Sequence, residues 1–226
     1  MLKLRSAFWI FNLMAYSQAS LADFESWNVF EYRLPLIRAK PGLGRLSLRV
    51  QTEFRFNTRS GGLHQAFARV GPLFDLAPWL FVATQATVYS DRLSDGRYAM
   101  EARAELEPNL YGRLGFFNIN DRNRMEFRCR EARSDWRYRN QLRVNLAPAD
   151  WAMHPFIWGE VIFDLTGTRV GLSQNRMSVG IGVPFGEGMR LDIGYLMRHR
   201  RSPEHQIWIV DQGIFLQLLI DVPPFS

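Results

Sequence analysis

Residues 45–57 read R-L-S-L-R-V-Q-T-E-F-R-F-N. Arg45, Ser47, Arg49, Gln51, Glu53, Arg55 and Asn57 are polar, whereas Leu46, Leu48, Val50, Phe54 and Phe56 between them are apolar, with Thr52 the one exception. A period of two held over thirteen residues belongs to an extended strand with one face in oil and the other in a polar space. A helix of this sequence would scatter its arginines around the whole circumference and bury some of them at high cost. The same alternation recurs along the chain, predicting strands over 24–36, 45–57, 64–74, 79–90, 97–107, 117–130, 136–146, 155–165, 174–185, 189–199 and 206–220. Ser60-Gly61-Gly62 and residues 75–78 mark turns, and Gly186-Glu187-Gly188 predicts a three-residue hairpin connection.

Most of these eleven segments run to 11–14 residues. Ordinary strands average about 5–6 residues, and strands that cross a bilayer need ~9–11. The pattern therefore predicts an all-β chain folded as one up-and-down antiparallel transmembrane β-barrel. Single-chain bacterial barrels carry even strand numbers, so about twelve strands are expected, with ten as the alternative. The extra division would fall between Arg97 and Arg130, at Pro108, Gly112 or Asn120-Asp121.

The polar face carries charges of both signs. Its lumen-facing members are predicted to be Arg49, Glu53, Arg55, Glu101, Arg103, Glu105, Arg124, Glu126, Arg128, Arg139, Arg143, Glu160, Asp164, Arg176 and Asp192. Arginine and carboxylate can satisfy each other across a lumen through two-pronged hydrogen bonds. Mutual neutralisation is the structural role expected of these residues. The functional alternative is a constriction that favours anions, because arginine is in excess. Trp27, Trp79, Trp136, Tyr138, Trp151 and Trp208 are expected to form girdles at the strand ends. On this two-faced reading a charge at Val50 blocks barrel assembly, while Gln51→Ala is nearly silent. Gly180 and Gly182 alternate inward and are expected to make room for bulky neighbours such as Trp158.

Residues 1–22 have the layout of a secretory signal peptide. Lys3 and Arg5 precede the apolar run A-F-W-I-F-N-L-M-A-Y, and Ser20-Leu21-Ala22 supplies a small-residue cleavage site before Asp23. Residues 23–226 then form a single barrel domain. Removing Lys3 and Arg5 lowers the formal charge from +6 to +4. The arginines interleave with apolar residues instead of forming a basic run, which argues against a nucleic-acid partner. One cysteine, Cys129, excludes an internal disulfide.

Several blocks, taken in order, resemble a family of small bacterial outer-membrane-type β-barrels known mainly as a domain of unknown function. They are W-N-V-F-E-Y-R-L from Trp27, residues 46–56 with Glu53 and Arg55, N-R-M-E-F-R from Asn123, E-V-I-F-D from Glu160, N-R-M-S-V-G-I-G from Asn175 and L-D-I-G-Y-L from Leu191. The resemblance implies a barrel and an envelope location and supplies no activity or catalytic residues. The chain departs from common barrels in ending on Pro223-Pro224-Phe225-Ser226 rather than on a terminal aromatic.

No catalytic or metal-binding signature is present: H-E-x-x-H, G-x-S-x-G and Cys/His ligand spacings are all missing. No cofactor is expected. His64, His199 and His205 would sit near one rim, so an outer-membrane rim hydrolase acting on lipid or peptide is the enzymatic alternative. A soluble periplasmic barrel is the other. The function expected from the sequence is a non-catalytic outer-membrane barrel with a structural role or a narrow channel. Its partners are then membrane lipid and small anionic solutes.

Overall fold

A computed structural model describes residues 23–37, 45–58, 60–93, 95–131, 133–148, 151–167, 170–201 and 207–222. The signal-peptide segment 1–22, His205 and the Pro223–Ser226 ending lie outside them. Eleven strands follow one another: β1 (Phe24–Ile37), β2 (Leu46–Asn57), β3 (Gly62–Ala77), β4 (Leu80–Arg92), β5 (Tyr98–Leu114), β6 (Phe117–Arg130), β7 (Arg133–Leu146), β8 (His154–Asp164), β9 (Gly171–Pro184), β10 (Met189–Arg201) and β11 (Trp208–Asp221). Each pairs antiparallel with its successor, and β1 pairs with β11 to close the barrel.

The closing pair is parallel, with Phe24 opposite Gln212 and Arg33 opposite Asp221. This corrects the expected twelve strands. Parity follows from antiparallel closure, and a parallel seam removes it. Pro108 and Gly112 do not divide a strand; both lie inside the 17-residue β5, and Asn120-Asp121 lies inside β6. At Pro108 the ladder between β5 and β6 lapses after the Leu106–Met125 pair and resumes at Asn109–Arg122. A residue with no N–H to donate interrupts the pairing without ending the strand.

Side chains alternate in and out along every wall. In β2, Ser47, Arg49, Gln51, Glu53 and Arg55 are buried, whereas Phe54 and Phe56 are exposed. Exposed apolar residues continue around the barrel through Val70, Val88, Leu106, Leu142, Ile157, Val179, Ile193 and Ile214. A 14-residue strand such as β7, rising ~3.3 Å per residue at a tilt of ~40°, gives a wall about 35 Å tall. Trp79, Trp136 and Trp151 are exposed near the strand ends. Trp27 is not part of a girdle: it points inward and is 3% exposed.

A polar island interrupts the apolar outer face. Asn123 is the seventh residue of β6 and Asn140 the eighth of β7, so the island sits at mid-height. Asn140 donates to Asp121 at 2.5 Å and to Asn123 at 3.1 Å, and the Tyr138 hydroxyl donates to Asn123 at 2.5 Å. Tyr138 therefore serves this island and not a strand-end girdle.

The β9–β10 connection is the expected three-residue hairpin. Phe185 donates its N–H to the Met189 carbonyl at 3.0 Å, and Gly186 and Gly188 both take positive φ, 64° and 70°. Farther along the same pair of strands, a Cβ on Gly180 would stand 2.1 Å from the Ile193 carbonyl oxygen and 2.7 Å from the Phe156 ring. Gly180 thus makes room for Phe156, not Trp158. Gly182 instead clears the Asp192 and Arg190 side chains. Gly180→Ala is expected to lower the thermal midpoint in detergent, by overpacking worth about 1–3 kcal/mol. Gly112→Ala, whose Cβ meets nothing within 4 Å, should leave that midpoint nearly unchanged.

Candidate functional site

The interior has two unlike walls. On β1, β8, β10 and β11, Trp27, Val29, Phe156, Trp158, Leu196 and Phe215 form a buried apolar cluster. The Trp158 and Phe215 rings meet edge-on at 5.7 Å. Strands β2 to β7 supply mainly charge. All fifteen residues predicted to face the lumen lie in the interior, and all but Glu53 and Arg55, which pair within β2, join ion pairs that cross from strand to strand.

Most buried carboxylates collect more than one cation; Glu53, which pairs with Arg55, is the exception among the described residues. Glu107, fully buried, accepts two N–H groups of Arg49 at 2.9 and 2.8 Å and Arg124 Nε at 2.6 Å. Glu105 pairs with Arg69 at 2.9 Å and accepts the Thr87 hydroxyl at 2.8 Å. Glu126 takes Arg139 at 2.9 Å, with Arg103 and Arg124 each at 3.6 Å. Toward the seam, Arg198 spans Glu25 at 2.6 Å and Asp211 at 2.7 Å. A buried unpaired charge costs several kcal/mol, so this sharing is what makes a charged interior tolerable.

Arginines also bind the aromatic wall. The Arg55 guanidinium lies 3.7 Å from the Trp27 ring centroid, and Arg143 lies 4.2 Å from that of Phe156. Trp27 in turn donates its indole N–H to Glu25 at 2.7 Å. Cation–π contact is strongest where water is excluded, and here it ties the two walls together.

Among the described residues, three cavities follow one another along the interior. The first, about 220 Å³, opens at the mouth where β1 ends and is lined by Arg33, Asn109, Asn145 and Arg190 among others. The central one is about 120 Å³, and the third, about 400 Å³, lies near Arg133, Gly167 and Arg201 at the opposite mouth. Arg122, Gln141, Arg143 and Gln217 border both the first and the central cavity. Arg137 and Gln174 border both the central cavity and the third. Ten arginines line the central cavity against two carboxylates, Glu53 and Glu160. Side-chain length explains the imbalance. A guanidinium reaches farther from the wall than a carboxylate, so the acids sit beneath the arginine tips.

Several residues central to this interior are not singled out by the sequence pattern. Glu25, Trp27 and Val29 face inward beside Glu31, but a strand with apolar residues on both faces gives little contrast. Glu107, Arg69 and Asp211 follow the inward alternation, and nothing in their local sequence marks them as hubs. Gln51 is not a silent position: its amide oxygen accepts a hydrogen bond from Arg69 at 2.6 Å in the interior.

Among the described residues the histidines do not gather. His64 is buried inside, with Nε2 3.6 Å from Glu25. His199 lies between the inward-facing Arg198 and Arg200, both of which pair with Asp211, and so occupies the opposite face of β10.

Residues 24–208 match the family described as a protein of unknown function, DUF2490. No curated protein and no solved structure matches the chain. The chain belongs to the DUF2490 family, and its fold is a closed eleven-stranded β-barrel.

Proposed function

We propose that the barrel spans the outer membrane of a bacterial envelope and is non-catalytic, with a charge-filled interior crossed by a narrow, arginine-lined path for small anions. The observation that carries this reading is the inverted distribution of polarity. Arginine and glutamate fill the inside, while phenylalanine, leucine, isoleucine and valine ring the outside. In water such an outer face would expose an apolar area far beyond the few hundred Å² that soluble monomers carry. In lipid it is the favoured arrangement, and a closed barrel leaves no backbone edge unpaired. A wall about 35 Å tall exceeds the ~25 Å apolar band of membrane barrels.

The succession of three cavities with shared lining residues supports a path. The ten-to-two excess of arginine over carboxylate in the central cavity supports a preference for anions. The separation of His64 and His199 on opposite faces of the wall argues against a rim hydrolase built from the two. Purified protein in planar bilayers is expected to give small, anion-preferring conductance steps, and the cell-envelope fraction should release it only with detergent. Cation preference or silent bilayers would remove the path. Release into the periplasmic supernatant without detergent would overturn the membrane assignment.

A further inference from the structure

Glu160 on β8 holds three guanidiniums from three different strands. Arg139 of β7 reaches it at 2.8 Å, Arg176 of β9 at 3.0 Å and Arg122 of β6 at 3.2 Å. Around Glu101 and Glu126, which also draw three guanidiniums each, such crowding is relieved by additional acids. Here Arg139 alone has a second carboxylate, Glu126. Arg122 has no other ion pair among the described residues, and Arg176 adds only the Gln174 amide oxygen at 2.8 Å. Arg176 is 6% exposed, its Nε has no hydrogen-bond partner, and its guanidinium lies 4.9 Å from the Trp27 ring centroid. All four residues border the central cavity.

We propose that this cavity is a binding site for a small tetrahedral oxyanion of the phosphate or sulfate type, held by Arg122, Arg139 and Arg176 with Glu160 as the resident counter-ion. The inference rests on reading the arginine-lined interior as an anion path and names the site within it. Guanidinium forks present paired N–H groups that fit two oxygens at once. Three forks arriving from three strands match oxygens distributed around a tetrahedral centre better than they match a spherical halide. The unpaired Arg176 Nε supplies a donor that no protein group uses. About 120 Å³ is ample for an ion that displaces a few waters at ~30 Å³ each. Glu160 keeps the arginines gathered when the site is empty, and it competes with the ligand when one enters.

The test is equilibrium dialysis of the detergent-purified protein against radiolabelled inorganic phosphate, together with its thermal midpoint in phosphate, sulfate or chloride at equal ionic strength. Saturable binding is expected, with phosphate and sulfate raising the midpoint and chloride leaving it lower. Arg122→Gln should weaken binding at least tenfold while the barrel still shows heat-modifiable migration. Arg122→Lys, which keeps the charge and loses the fork, should fall between. If Arg122→Gln does not fold, Gln174→Leu, which releases Arg176 Nη2, should alter phosphate affinity in a barrel that retains every arginine. Absence of saturable binding by folded protein would overturn the proposal, as would equal protection by chloride or an affinity indifferent to these substitutions. Binding without bilayer conductance would retain the site and remove the path. Conductance without binding would do the reverse.

Discussion

Glu107→Ala is expected to destabilise the barrel by about 3–5 kcal/mol, the usual consequence of removing one partner from a buried ion pair. Glu107 has no solvent exposure and holds Arg49 and Arg124 together. Its loss leaves Arg49 with Glu31 at 3.8 Å, and leaves Arg124 leaning on Glu105 and Glu126, each at 3.6 Å. None of these distances allows a short charge-assisted bond. Urea unfolding in detergent micelles measures the effect. Replacing the whole group, as Arg49→Met with Glu107→Leu and Arg124→Met, should cost less than the single change, because an apolar set has no charge to strand. Asp95→Ala breaks only an exposed loop pair with Arg97, and the urea midpoint should stay where it was. A Glu107→Ala protein as stable as the parent would mean that the interior charges are hydrated in place and not locked by pairing.

Leu106→Arg is the second large effect, about 2–4 kcal/mol for a cation at mid-depth on the lipid side. Leu106 is the ninth of the seventeen residues of β5 and 50% exposed. Leu114, the last residue of the same strand, is 70% exposed, and the same change there should cost ~0–1 kcal/mol. Depth, not exposure, separates the two sites. In a water-soluble barrel both substitutions would be tolerated, and the more exposed Leu114 could only be the milder by its packing. The measurement is the folded fraction after refolding each variant into vesicles. Equal yields would refute the membrane reading without touching the fold. Val50→Arg, on the same outer face, belongs with Leu106.

The strands were legible because their period of two is strong where charge opposes hydrocarbon. In β2, β5 and β6 arginine and glutamate alternate with phenylalanine, leucine and methionine, and the segment 117–130 coincides with β6. The strand count was legible too, until the parity rule was applied to it. That rule assumes a closing geometry, and a single sequence carries no sign of which way β1 and β11 run against each other. The inner apolar cluster was hidden for a different reason. Where Trp27, Phe156, Trp158 and Phe215 point inward, both faces of the strand are apolar and alternation loses its contrast.

Partners within the interior were the least legible. Arg49 meets Glu107, 58 residues away, and Arg143 meets Asp192, 49 residues away. Such pairings depend on the stagger between strands and on how far each side chain reaches across the barrel. Arg122, whose local sequence D-R-N-R gives it no distinction from Arg124, joins Arg139 and Arg176 on Glu160 only after that stagger is set.

The parallel seam has a consequence for sidedness. In a barrel closed by antiparallel strands, the chain leaves by the mouth through which it entered. Here β1 begins beside the start of β11, so the start of the first strand and the finish of the last lie at opposite mouths. Across a membrane, those two points face different compartments. A protease confined to one side would reach an epitope placed before Phe24 or one placed after Asp221, but not both.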